Sequence, residues 1–147
     1  MLDALRRLLT APPSDANAAT GGRDIRVAAC ALLIELALVD GEFSAAEQAQ
    51  IRAILERQFG VTGDGVDALM QEATAAARAS VDDFTFTKQV VREYDLPQRM
   101  VLAELMWQVV LADGVLAERE SYLMRKLANL LQLEPAFLAE ARRKTEG

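Results

Sequence analysis

Leu38 to Ile51 reads LVDGEFSAAEQAQI, and Leu111 to Met124 reads LADGVLAERESYLM. Each stretch holds an Asp-Gly pair, Asp40-Gly41 or Asp113-Gly114, with an apolar residue two places after the glycine and a glutamate, Glu47 or Glu120, seven after the aspartate. The copies stand 73 residues apart, and the register extends beyond them. Leu32 falls on Leu105, Ile34 on Trp107, Ile51 on Met124, Arg52 on Arg125 and Ile54 on Leu127. Before each Asp-Gly lies a stretch that is apolar almost all round, Val27 to Val39 and Met100 to Ala112. A helix of that kind has to be buried. The chain therefore writes a helix, Asp-Gly turn, helix unit twice. The expected solution packs the two apolar helices together, brings the two turns close in space and sets the other helices around the pair.

Composition agrees with an all-α class. Hydrophobic residues make up 52% of the 147, too many for a disordered chain, and aromatics only 5%. Ala and Leu are abundant, which favours helices over sheets. The length suits one core. A net charge of −6 argues against a nucleic-acid partner and for a cationic one. Histidine is absent, which removes the Ser-His-Asp and Cys-His arrangements, most zinc sites and the usual proton shuttle near neutral pH. No catalytic residue and no organic-cofactor site is assigned, and the expectation is a protein that is not an enzyme. The single Cys30 sits in an apolar run and reads as a packing residue.

Outside the repeat the chain divides simply. Residues 1–22 read as a short helix, Met1 to Leu9, followed by the Pro- and Gly-rich linker TAPPSDANAATGG. That helix docks on the domain or makes a weak membrane-surface contact through its two arginines. Residues 23–147 form the helical domain. Helices are expected from Arg23 or Asp24 to Val39, from Ser44 to Phe59, from Asp64 or Gly65 to Ala79, and from Ser80 or Asp82 to about Tyr94. Three more run from Asp95 to Ala112, from Ala117 to Leu131 and onward from Pro135, giving seven or eight in all. Ser44 with Glu47 has the form of a capping box, and Asp95 caps a helix whose first turn holds Pro97. No secretory signal is visible, and no apolar stretch is long enough to span a bilayer, so the expected location is the cytoplasm.

Capping explains Glu47 but not Glu120, which has Ala117 where Ser44 stands in the first copy. Asp40 and Asp113 close helices, where a carboxylate opposes the helix dipole. Both facts call for a positive partner. One choice is an arginine, since Arg52 and Arg125 repeat as well. The other is a hard divalent cation: Asp40, Glu47, Asp113 and Glu120 offer only oxygen, which suits Ca²⁺, Mg²⁺ or Mn²⁺. The spacing is not that of an EF-hand loop.

The stretches ALLIELALVDGEFSAAEQAQI and LAELMWQVVLADGVLAERESYLMRKLANLL resemble the TerB-like tellurite-resistance family, over roughly Asp24 to Leu133. The resemblance implies an all-helical domain that binds a divalent metal through the acidic turns, at Asp40, Glu47, Asp113 and Glu120. It also implies a role in tellurite, metal or chemical stress, and protein partners in membrane-linked complexes at the inner membrane. Val115 stands where the first copy has Glu42, so a symmetric pair of sites is not implied. The alternatives are a structural adaptor with its acids tied to arginines and a carboxylate-based metal-dependent hydrolase. Glu35 and Glu104, each the sole charge in its apolar stretch, are further candidates for proton handling.

Overall fold

A computed structural model describes residues 24–39, 44–80, 84–112 and 118–146. The expected helix at Met1 to Leu9 lies outside these residues, as do Asp40, Asp113 and both Asp-Gly pairs. Seven helices are described: α1 Ile25–Leu38, α2 Ala45–Gln58, α3 Asp64–Ala79, α4 Phe84–Glu93, α5 Leu96–Val110, α6 Glu118–Leu130 and α7 Pro135–Glu146. There is no strand among the described residues.

Local signals set the helix starts. The Asp24 side chain accepts a hydrogen bond from Arg26 N at 2.8 Å and opens α1. Ser44 opens α2 with a complete capping box: Glu47 N donates to Ser44 Oγ at 3.1 Å, and Ser44 N donates to Glu47 Oε1 at 3.0 Å. Asp95 and Gln98 form the same reciprocal pair at the start of α5, with Pro97 in its first turn. Each such cap stabilises its helix by about 1 kcal/mol. Ser80, one of two expected caps for α4, instead terminates α3, its N–H donating to Ala77 O.

The interior is built on the two apolar stretches. In α1, eleven of fourteen residues are buried, from Ile25 to Ala37. In α5, Leu102, Ala103, Leu105, Met106, Val109 and Val110 are all within 1% of full burial. The two helices touch, as expected, but neither is the other's main partner. α1 packs most extensively on α3, and then on α4; α5 packs most extensively on α7. The physical reason lies in the all-round burial. A helix with apolar residues on every side needs cover on every side, and one neighbour shields only one stripe. In both halves, the helix supplying the largest cover comes two places further along the chain.

Long-range polar bonds tie α5 to the C-terminal helices. Arg99 Nη1 donates to Leu131 O at 2.7 Å, satisfying a carbonyl at the end of α6. Trp107 Nε1 donates to Leu138 O at 3.0 Å in α7. Thr145 Oγ1 donates to Ala141 O at 3.0 Å and to Glu104 O at 3.3 Å. None of the described helices is long and apolar enough to cross a membrane.

Candidate functional site

Two of the four acids expected to hold a metal are described. Glu47 lies in the first turn of α2, partly exposed. Its Oε1 accepts the Ser44 N–H, so the cap engages one carboxylate oxygen. Glu120 lies in the first turn of α6, at 5% exposure, one of four buried polar residues among those described. It has an interaction partner there, as a buried carboxylate requires. Asp40 and Asp113 lie outside the described residues, so of the four acids the structure describes only Glu47 and Glu120. Among the described residues there is no group of three or more Asp, Glu, His or Cys placed to hold a metal.

The flanks of the two acidic turns do meet. Val39, the residue before Asp40, lines an open cavity of about 570 Å³ with Glu118, Arg119, Tyr122, Leu123, Arg125 and Lys126 of α6. The end of the first apolar helix thus faces the start of the second copy's second helix. Glu47 and Glu120 both offer oxygen alone, which fits a hard cation and not a soft one. Neither of them lines that cavity, where Glu118 is the one acid among the described residues, beside Arg119, Arg125 and Lys126.

The repeated arginines have partners elsewhere among the described residues. Arg52 forms an exposed ion pair with Asp67, joining α2 to α3. Arg125 donates from Nη1 to Ser121 Oγ at 3.3 Å, one turn back in α6.

The other acids singled out by sequence differ in setting. Glu35 is half-buried in α1 and has a partner. Glu104 lines a cavity of about 450 Å³ between α5 and α7, with Gln58, Gln108, Lys144 and Thr145. Burial raises its carboxyl above the ordinary value, and the Lys144 charge only partly opposes that. Cys30 is fully buried, and its thiol is pushed up to about 12 by burial, which leaves it unreactive. Sequence reasoning missed a third cavity, between α5, α6 and α7, bordered by Trp107, Arg125 and Arg142. Its residues come from three helices at no fixed spacing, so only the packing of α7 on α5 reveals it.

The sequence profile of the family described as Tellurite resistance protein TerB matches residues 26–143. The chain belongs to the TerB family. The match spans all seven described helices, from the first turn of α1 into the last turn of α7, and both acidic turns lie within it. No curated protein and no solved structure matches the chain. The TerB assignment therefore carries the family and its helical fold, and the residue-level roles rest on physical argument.

Proposed function

We propose that this TerB-family chain is a binding module, not an enzyme. It holds Ca²⁺, Mg²⁺ or Mn²⁺ through Asp40, Glu47, Asp113 and Glu120. It serves the response to tellurite, other metals or chemical stress through protein partners, in the cytoplasm or at the inner face of the membrane. The observation that carries the reading is the meeting of Val39 with Glu118 and Arg119 around one cavity. Val39 adjoins Asp40, and Glu118 and Arg119 immediately precede Glu120. Arg119, Arg125 and Lys126 also line the cavity, so a cation there requires the carboxylates of both turns to outweigh three positive side chains.

A structural adaptor is the second reading, and the Ser44–Glu47 capping box favours it. There the acids serve local structure or pair with arginines. The two readings differ in sign for the metal-free protein. If a cation is held, Asp→Asn at both Asp40 and Asp113 removes clustered negative charge and leaves the metal-free fold at least as stable. The same change abolishes stabilisation by metal, which is about 2.7 kcal/mol for the unmodified chain at one hundred times the dissociation constant. If the aspartates serve structure, the double change lowers metal-free stability and metal matters little to either form. Thermal melts of both proteins in chelator, calcium, magnesium and manganese decide between them. Unmodified protein that shifts with none of the three ions sinks the cation reading.

A further inference from the structure

Away from the acidic turns, α5, α6 and α7 enclose a cavity of about 460 Å³. That lies within the range of about 300–1,000 Å³ common to small-molecule pockets. Trp107, Leu133 and Leu138 give it an apolar lining, while Arg125 and Arg142 border it. Among the described residues, no carboxylate side chain lines it. In a chain of net charge −6, this is a local reversal of sign, and such a reversal draws anions.

Both guanidinium groups are held in place. Arg142 lies 5.1 Å over the centre of the Trp107 ring. The ring is itself fixed by its bond to Leu138 O and is only 5% exposed. Arg125 is held by the neutral hydroxyl of Ser121 and not by a carboxylate. Arg125, which no carboxylate among the described residues neutralises, keeps its charge for an incoming carboxylate, which it can bind through two parallel bonds. The apolar walls have no use for a small inorganic anion, since they reward only burial of a hydrocarbon surface.

We propose that this cavity binds a small amphipathic carboxylate, an acyl or aryl acid. The tail lies against Trp107, Leu133 and Leu138, and the carboxylate meets Arg125. Arg125 also lines the cavity beside Val39, so the two ideas share one residue, and titration in chelator separates them.

Trp107 is the single tryptophan of the chain and forms part of the wall, so its emission reports occupancy directly. The full chain is titrated in chelator with decanoate, kept below micelle formation, and with decanol as the uncharged counterpart. Decanoate is expected to give a saturable change in emission, and decanol to bind at least about tenfold more weakly, as loss of a charged hydrogen bond implies. Arg125→Gln, at an exposed position, is expected to weaken decanoate by about the same factor and to leave decanol unchanged. Ala139→Phe, at an exposed position lining the cavity, is expected to weaken both. Melting curves confirm that each variant is folded. The absence of a saturable change with decanoate overturns the proposal. So does equal affinity for decanol, or unchanged decanoate affinity in Arg125→Gln.

Discussion

Glu47 and Glu120 hold equivalent places in the two copies of the repeat, and the fold treats them differently. Glu47 stays partly exposed, its carboxylate turned back to the Ser44 N–H at 3.0 Å. Glu120 is 5% exposed and has an interaction partner. The first copy supplies a serine three residues upstream, so a local bond satisfies the acid. The second supplies Ala117, and the acid is drawn inward instead. Identical motif residues can thus differ in burial, and at Glu47 the support is set by a neighbour in sequence.

The comparison is broken most severely by charging the interior of either copy. Leu36→Asp in α1 buries an unpaired carboxylate, and Trp107→Asp in α5 removes a large buried ring together with its bond to Leu138 O. Both are expected to cost more than about 4 kcal/mol, enough to unfold most of a domain this size. Urea unfolding gives the measurement. A midpoint close to wild type for only one of them would show that only one of the two apolar helices is central.

The glutamates themselves come next. In chelator, Glu120→Ala is expected to cost about 1–3 kcal/mol, because it removes a buried, partnered carboxylate. Glu47→Ala loses half of an exposed capping box and is expected to cost about 0.5–1 kcal/mol. Equal losses in thermal melts would mean that Glu120 is held no differently from Glu47.

What the sequence showed of the fold follows the same division between local and distant causes. Asp24, Ser44, Asp95 and Pro135 mark helix starts through bonds or φ restrictions that span a few residues, and the described helices begin beside them. The all-round apolar character of α1 and α5 announced their burial. It did not announce their partners, because a helix with no polar face carries no direction. The heavy packing of α1 on α3 and α5 on α7 depends on how several stripes fit together at once. Of the candidate site, the chemistry of the oxygen donors was legible from residue type. The cavity at Trp107, Arg125 and Arg142 was not, since it joins residues far apart in the chain.

A smaller effect separates two acids on the central helices. At Asp24, burial raises the carboxyl, but the bonds from Arg26 outweigh it and hold the group below its ordinary 3.8. At Glu104, burial prevails and the group lies above its ordinary 4.5. The stability tied to Asp24 is present above pH 3.8 and lost as pH falls through the lowered native value. Glu104 acts in the opposite sense: the native state holds the proton longer than the unfolded chain, so stability declines as pH rises from 4.5 through the raised native value. Glu104→Gln is therefore expected to gain on wild type at neutral pH, with the gain shrinking as pH falls through the raised native value and gone below pH 4.5. Stability measured from pH 3.5 to 7.5 checks this, and a gain that does not change with pH would refute the burial argument.

The smallest expected effect lies where the second helix of each copy ends. After α2 the chain turns through Gly60 at φ 67°; after α6 it turns through Gln132 at φ 60°. Both stand two places past the last helical residue, where the left-handed conformation closes a helix. At the second end, Leu133 N donates to Ala128 O at 2.9 Å and Gln132 N to Asn129 O at 3.0 Å, so the turn is fully bonded. The hydrogen bonds therefore do not require glycine there. The conformation favours it, because a Cβ at this φ crowds the following carbonyl at a cost of about 1–2 kcal/mol. Gln132→Gly relieves that crowding but frees the unfolded chain, so the net gain is expected to be about 0.5–1 kcal/mol. Gly60→Gln should lose a similar amount. Gln132 is exposed, so neither result depends on a lost side-chain contact there. Paired thermal melts with opposite signs would show that the two helix ends are equivalent turns filled by different residues. A loss in Gln132→Gly would show instead that the glutamine side chain helps to hold the α6–α7 turn.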